Sequence, residues 1–275
     1  MLAERTGIRL NSFGFSSFGK LGLLCALVLT QSNCIFQSQS SRVVKECVLP
    51  TDQSSTLSGR WRVAPIPIAV HAADFDADEI DALKQAADVW NKFYSASLSL
   101  QILNYGESAV QESSASKPSN LCSTGLIQGN QYMGNVVLYK QGRWPYSNHS
   151  AIALTSFCPV PAKPIPTIFM AVMEVNYEDF FIEGKKLPDL KSIFIHELGH
   201  LLGLDHSCEN SSARTGMPNC RELTGDQSEY YDAVMFPVVS FESGSGLGES
   251  RTSLNDNDMG RANCLYGADG AGPPN

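Results

Sequence analysis

The segment from residue 188 to residue 207, PDLKSIFIHELGHLLGLDHS, constrains the fold of this 275-residue chain more than any other. It holds three of the five histidines in the chain. His196 and His200 are four residues apart, so on a helix both imidazoles leave the same side, one turn apart. Gly203 can adopt a positive φ and end that helix, which lets His206 fold back toward the other two histidines. The segment therefore predicts a helix and a sharp turn that bring three imidazoles together.

The spacing of these histidines is that of a metal centre. Two imidazoles one helical turn apart can both reach one Zn²⁺ at about 2.0–2.1 Å, and His206 would be the third ligand. Three neutral imidazoles leave one tetrahedral position for water, which is typical of a catalytic zinc rather than a structural one. Glu197 directly follows the first ligand and can accept a proton from that water without binding the metal. We predict one catalytic zinc held by His196, His200 and His206, with Glu197 as general base.

The pattern H-E-x-x-H-x-x-G-x-x-H resembles the signature of the metzincin clan of zinc endopeptidases. Ser207, directly after the third histidine, is typical of the matrixin-like branch of that clan. Residues 233–237 (AVMFP) resemble the Met-turn of the clan, in which a methionine, here Met235, lies beneath the metal without coordinating it. Pro237 stands where astacin-like and serralysin-like proteins carry a zinc-reaching tyrosine, so no fourth protein ligand is expected.

Apolar patterns predict an α+β fold class, and the resemblance implies a metzincin-like catalytic domain. Such a domain would have a twisted, mostly parallel sheet of about five strands and three main helices, with the zinc site on the second helix. Residues 76–79 resemble a capping box that opens the first helix, and residues 255–267 are expected to form the last one. The predicted strands lie at 63–71, 98–102, 136–139, 151–157 and 167–175. The first strand, first helix and second strand imply a parallel pair with the helix laid across it.

The first 33 residues are predicted to be an export signal. Basic residues precede the apolar run LGLLCALVLT at 21–30, which is too short to cross a bilayer core that needs roughly 20 residues. We expect residues 34–59 to form a polar leader and residues 60–275 to form the zinc metallopeptidase catalytic domain. The protein is therefore expected to be extracytoplasmic, either secreted or anchored to the cell envelope.

The cysteine count agrees with export and leaves two processing routes open. Cleavage before Cys34 with lipidation of its thiol, or cleavage near Ser40, would each leave six of the eight cysteines to form three disulfides. The stretch QSNC at 31–34 resembles a bacterial lipobox only loosely. Any contact with a membrane is thus expected only through a lipid anchor at Cys34.

Two disulfide predictions follow for the mature chain. Cys208 and Cys220 bracket a polar loop just after the last zinc ligand, and we predict that they pair; Cys208 with Cys264 is the alternative. Cys47 lies in a stretch that faintly echoes the zinc-blocking cysteine segment of matrixin prodomains. That stretch lacks the arginine and glycine of the pattern, so we predict that Cys47 forms a disulfide, and an inhibitory role stays open.

The resemblance implies an exported zinc-dependent endopeptidase that acts on protein or peptide substrates. The substrate would lie extended beside the strand at 167–175. A net charge of −8 without a basic run disfavours nucleic acid as a partner, and we expect a monomer. A structural calcium ion would suit the family, but no Asp-rich loop marks a site for it. The alternative is a non-catalytic, zinc-stabilised binding or adhesion lipoprotein with a metzincin fold.

Overall fold

The computed structural model describes residues 43–48, 57–62, 64–71, 73–104, 111–113, 117, 120–122, 136–163, 165–209 and 218–267. Residues 41–275 form one compact unit. The export signal predicted for residues 1–33, the lipid site at Cys34 and most of the leader at 34–59 lie outside the described residues. Among the described residues, no helix combines the length and the apolar character that crossing a bilayer requires.

One sheet of seven strands forms the frame of the described chain. The strands are β1 Arg60–Trp61, β2 Ile66–His71, β3 Leu103–Asn104, β4 Gln111–Ser113, β5 Val136–Gln141, β6 Ala153–Val160 and β7 Thr167–Asn176. The main path runs β1-β7-β5-β2-β3, and β4 also pairs with β2. All of these pairings are parallel except that of β6, which runs antiparallel along β7. The predicted α+β class and mostly parallel sheet are confirmed.

The first helix, α1 Ala77–Leu98, begins at the predicted capping box. The Asp76 side chain accepts from the Glu79 amide at 2.9 Å, and the Glu79 side chain accepts from the Asp76 amide at 2.8 Å. The strand predicted at 98–102 is wrong. Leu98 lies four residues after the buried Tyr94, so it continues the apolar stripe of the helix, which ends only at Ser99 in the left-handed conformation. The strand that follows, β3, is parallel to β2 as predicted.

The second helix, α2 Leu190–Leu202, carries the first two histidines. Asp189 caps its start by accepting from the Ser192 amide at 2.8 Å, and Gly203 ends it at φ 107°. Only glycine fits this position, for two reasons. The positive φ is strained for other residues, and a β-carbon there would overlap the Gly59 carbonyl. The helix packs on α1, where the Trp90 indole donates to the Ile195 carbonyl at 2.9 Å. This contact belongs to a core with very little solvent exposure between the sheet and the helices.

The remaining helices follow the second. They are the 3₁₀ turn Gly225–Gln227, the single turn α3 Ser228–Tyr231 and α4 Asp256–Tyr266. As predicted, Asn255 caps α4, and the helix ends at Gly267. The three main helices of the prediction are therefore α1, α2 and α4. As predicted, the histidine site is on the second, which carries His196 and His200 and is followed by His206.

Three disulfides connect the described residues. Cys208 pairs with Cys220, as predicted, and Cys47 pairs with Cys264 on α4, which rules out the alternative partner for Cys208. The third bond joins Cys122 to Cys158 on β6. The segment 43–48 of the leader lies along α4, where the Asn263 side chain donates to the Val44 carbonyl at 2.8 Å. This part of the leader thus packs on the domain that follows it.

Candidate active site

The three histidines at the end of α2 turn their imidazole rings toward one point. The Nε2 atom of His200 lies 3.1 Å from Nε2 of His196 and 3.1 Å from Nε2 of His206. Local structure sets this arrangement, because the first two rings are one helical turn apart and the turn at Gly203 returns the chain to the third. Among the described residues, these three form one of two groups whose ligand atoms lie close enough to share a metal ion.

Hydrogen bonds set the tautomers of the first two imidazoles. Nδ1 of His196 lies 2.7 Å from the Val234 carbonyl, and Nδ1 of His200 lies 2.8 Å from the Leu204 carbonyl. Because a carbonyl only accepts, each Nδ1 carries the proton and each Nε2 presents a lone pair. Burial lowers the pKa of His196 to about 3. Burial and the nearby charge of His206 lower the pKa of His200 to about 4, so both rings are neutral at physiological pH.

This donor set fits a zinc ion. Lone pairs of neutral imidazoles that face each other at 3.1 Å repel unless a cation lies between them. Zn–N bonds of about 2.0–2.1 Å in a tetrahedral site place the nitrogens roughly 3.3 Å apart, close to the separations seen here. Nitrogen ligands also suit zinc better than calcium or magnesium, which prefer oxygen.

Glu197 lies beside this group and is almost completely buried, with 5% of its surface exposed. Its carboxylate Oε2 accepts a hydrogen bond from the Thr155 hydroxyl on β6 at 2.6 Å. Burial raises the pKa of Glu197 to about 7, while the bond from Thr155 acts in the opposite direction. A carboxylate with a pKa near neutrality is suited to both taking up and releasing a proton. No sequence motif marks Thr155, so its contact with Glu197 is not predictable from the sequence.

The turn around Met235 packs beneath the histidines. The Met235 side chain is fully buried, and its sulfur lies against Gly199 of α2. The carbonyl of the preceding Val234 is the acceptor for His196, so this turn also orients a ring of the site. The Ser207 amide donates to the Met235 carbonyl at 2.9 Å, which joins the turn to the segment after the third histidine.

Two buried charged residues on α4 hold this turn and the His206 segment in place. The Asp258 carboxylate accepts from the amides of Val234 at 2.9 Å and Met235 at 3.2 Å. The Arg261 guanidinium donates to the Asp205 carbonyl at 2.8 Å. The sequence places Asp258 near the start of the last helix, and Arg261 three residues later is a charge of opposite sign on the same helix, but neither residue marks a contact with the methionine turn.

A cleft with a volume of about 1350 Å³ runs past the three histidines and Glu197. One wall is the strand β6, which contributes residues 153–155 and Phe157, and the other includes residues 236–239 after the methionine turn. The expected substrate position beside 167–175 is wrong. Strand β7 pairs with β1 and β5 along one edge and with β6 along the other, so it has no free edge. Among the described residues, β6 pairs only with β7, and its side chains reach the cleft.

The second group of candidate ligands consists of His149, Glu178 and Asp179. Nδ1 of His149 already lies 2.8 Å from Asp179, and Glu178 accepts from the Trp144 amide at 2.5 Å. Calcium takes six to eight oxygen ligands, and this group offers two carboxylates and an imidazole. The calcium site considered from the sequence therefore stays a prediction.

Cys47 of the leader is not available to the zinc site. Cys47 shares a disulfide with Cys264 on α4, so its sulfur has no thiolate to offer as a ligand. Blocking of the metal by this residue would require that the disulfide be broken.

The fold and the three-histidine group together define a metzincin-type domain with the donor set of a zinc peptidase. The family model for Matrixin matches residues 60–219, more than half of the chain. The chain therefore belongs to the matrixin family, whose members are zinc-dependent peptidases. A search of curated proteins returned no significant match. The matched region includes β1 to β7 and the three histidines, while the methionine turn and α4 lie beyond it.

Proposed function

We propose that this chain is an exported zinc-dependent endopeptidase. The observation that carries the proposal is the convergence of three Nε2 atoms beside the buried carboxylate of Glu197, at the floor of an open cleft. A binding or adhesion protein stabilised by zinc would need the histidines but not a buried carboxylate with a pKa of about 7 beside them. We therefore favour catalysis over the non-catalytic alternative.

In this proposal His196, His200 and His206 hold the metal, and Glu197 moves the proton. A bound zinc ion would polarise the scissile carbonyl and make a water molecule more acidic. Glu197 accepts the proton from the attacking water and later delivers it to the leaving amine. The raised pKa of this carboxyl group supports both steps, because the carboxylate must be a base first and an acid afterwards.

The proposed substrate is an extended segment of a protein or peptide that pairs with β6. An edge strand offers unpaired amides and carbonyls to an added strand, which selects for extended backbones rather than for particular side chains. The described part of β6 runs for eight residues and borders the cleft at the histidines. This assignment replaces the strand at 167–175 as the binding edge.

We further propose that the chain works outside the cytoplasm, after removal of the signal at 1–33 or lipidation at Cys34. Three disulfides among the described residues support an oxidising compartment, because cytosolic thiols are kept reduced. Residues 60–275 would be the catalytic domain, and the leader at 34–59 would precede it. The unit of activity would be a monomer.

Metal content and peptide hydrolysis test the function together. Wild-type protein should hold one zinc ion per chain and cleave unstructured peptides, and a chelator should abolish cleavage. His200→Ala should lose the metal. Glu197→Ala should keep it and lose hydrolysis by several orders of magnitude, whereas Glu183→Ala, at an exposed carboxylate on the surface, should change neither. Full metal content without cleavage of any peptide in a broad library would favour the binding-protein alternative instead.

A further inference from the structure

We propose that Thr155 is a positioning residue for Glu197, which orients the catalytic carboxylate from the strand that binds the substrate. This inference rests on the proposed peptidase function and adds a residue to it. The two residues are 42 positions apart in the chain and belong to different elements, since Thr155 lies on β6 and Glu197 on α2.

The contact between them is short and directed to a single oxygen. The Thr155 hydroxyl lies 2.6 Å from Oε2 of Glu197 and 3.3 Å from the backbone carbonyl of the same residue. A hydroxyl has one proton, and the shorter distance is that of a charge-assisted O–H···O⁻ bond, about 2.5–2.7 Å. The proton therefore goes to Oε2. The backbone amide of Thr155 also acts on this carboxylate, so both interactions come from one residue of β6.

The bond gives the carboxylate one orientation. The last torsion of a glutamate side chain is broad and has two equivalent minima, so an unrestrained carboxylate can rotate. With Oε2 held by Thr155, Oε1 is the oxygen left to accept a proton. An acceptor that is already oriented when the substrate arrives lowers the barrier, because the enzyme does not pay the cost of ordering it during the reaction.

The location of Thr155 adds a reason for its importance. Thr155 lines the cleft together with Leu154 and Phe157 of the same strand, and it lies opposite Met173 in the ladder with β7. A peptide paired with the edge of β6 that has no partner among the described residues would thus be held by the same strand that holds the base. The distance between the scissile bond and Glu197 would then depend on one element rather than on two that move independently.

The first experiment separates orientation from binding. Thr155→Val keeps the shape of the side chain and removes the donor, so kcat on a peptide substrate should fall about tenfold while KM stays within about twofold. Thr155→Ser restores the donor and should recover kcat to within about threefold of the wild type. The matched control is Thr167→Val, which removes a buried hydroxyl on β7 that accepts from Arg62 at 3.1 Å; it should leave kcat and KM unchanged. All four proteins should hold one zinc ion.

The second experiment measures the contact without activity. The free energy of unfolding of metal-free protein should fall on Thr155→Val in the wild-type background, and this loss should be clearly smaller in the Glu197→Ala background, where only the backbone carbonyl of residue 197 is left as an acceptor. If Thr155 had only a structural role, Thr155→Val would lower the free energy of unfolding equally in both backgrounds.

The outcomes distinguish the two proposals. If the wild type cleaves peptides and Thr155→Val matches it in kcat, or Thr155→Ser is as impaired as Thr155→Val, the positioning role is wrong and the proposed function stands. If the wild type binds zinc and cleaves nothing, the proposed function fails and the role of Thr155 fails with it.

Discussion

The sulfur of Met235 packs against Gly199, between the two zinc-motif histidines of α2, so closely that a β-carbon at position 199 would overlap it. Glycine at this position therefore allows the methionine turn to lie directly beneath the helix. The Trp90 ring closes the same space from α1, at 3.1 Å from where that β-carbon would be. The spacing between the helix and the turn is thus set by the absence of one side chain.

Gly199→Ala should be destabilising for this reason. The added methyl must displace either Met235 or Trp90, both fully buried, and overpacking of a core costs about 1–3 kcal/mol. Denaturant unfolding measures the loss, and Gly225→Ala is the control, because nothing lies within 4 Å of a β-carbon there. If Gly199→Ala lowers the free energy of unfolding no more than Gly225→Ala does, the methionine turn moves aside without cost and the prediction is wrong. In a Met235→Ala background, Gly199→Ala should lower the free energy of unfolding less, because the clash with the methionine sulfur is then absent.

Asp258→Asn should weaken both the fold and the metal site. The carboxylate of Asp258 is fully buried and accepts from the amides of Val234, Met235 and Asn255. Replacement of this carboxylate by an amide should lower the free energy of unfolding by about 2–4 kcal/mol. Because Val234 orients His196, zinc affinity should fall about 10- to 100-fold.

Asp256→Asn is the matched control for this prediction. Asp256 lies in the same first turn of α4 but is exposed. Its replacement should cost less than about 1 kcal/mol through the helix dipole alone. Zinc affinity measured by competition with a chelator should not change in this variant. Equal effects at the two positions would show that charge at the start of the helix, rather than the bonds to the turn, is responsible.

The disulfide between Cys208 and Cys220 should slow the release of zinc from the site. Both sulfurs pack with Phe236, the residue after Met235, in a small buried cluster that follows the third histidine. Replacing both cysteines with serine should lower the free energy of unfolding by up to roughly 3 kcal/mol, since the closed ring is short. The same replacement should speed zinc release to a chelator under native conditions. Cys122→Ser/Cys158→Ser removes a bond elsewhere and should leave the release rate unchanged. Zinc release at the wild-type rate from the first variant would contradict the prediction.

The pKa of Asp179 should depend on His149. Hydrogen bonds from His149 at 2.8 Å and Asn176 at 3.1 Å hold the pKa of this partly exposed carboxyl below its usual range. A lowered pKa means that the contribution of the carboxylate to stability is present above the usual range of aspartate and is lost as the pH falls through the lowered value. His149→Ala should therefore raise the pKa of Asp179.

A carboxyl-carbon NMR titration measures this change. Asp226 provides the internal control, because its pKa is lowered by the Thr224 hydroxyl within its own turn and should stay where it is. An unchanged midpoint for Asp179 would mean that Asn176 alone sustains the shift.

The features that the sequence determined by itself are those set by residues close to one another along the chain. The caps of the helix at Asp189 and Gly203, the position of His206 after it and the preference of Cys208 for Cys220 each depend on residues at most 12 positions apart. Caps, helical spacing and a glycine with positive φ act at that range, so a single stretch of sequence contains all the information needed. The same reasoning identified the caps of α1 and α4.

Only the tertiary structure decided which described strand lies at an edge of the sheet and what surrounds the carboxylate of Glu197. Apolar alternation marks both 151–157 and 167–175 as strands, but the order in which they pair depends on contacts across the whole sheet. The bond from Thr155 to Glu197, the bonds from Asp258 to the methionine turn and the Cys47–Cys264 disulfide join residues 42, 23 or 24, and 217 positions apart. Such contacts arise from packing of complete elements, because no local pattern encodes the partner of a side chain on another element.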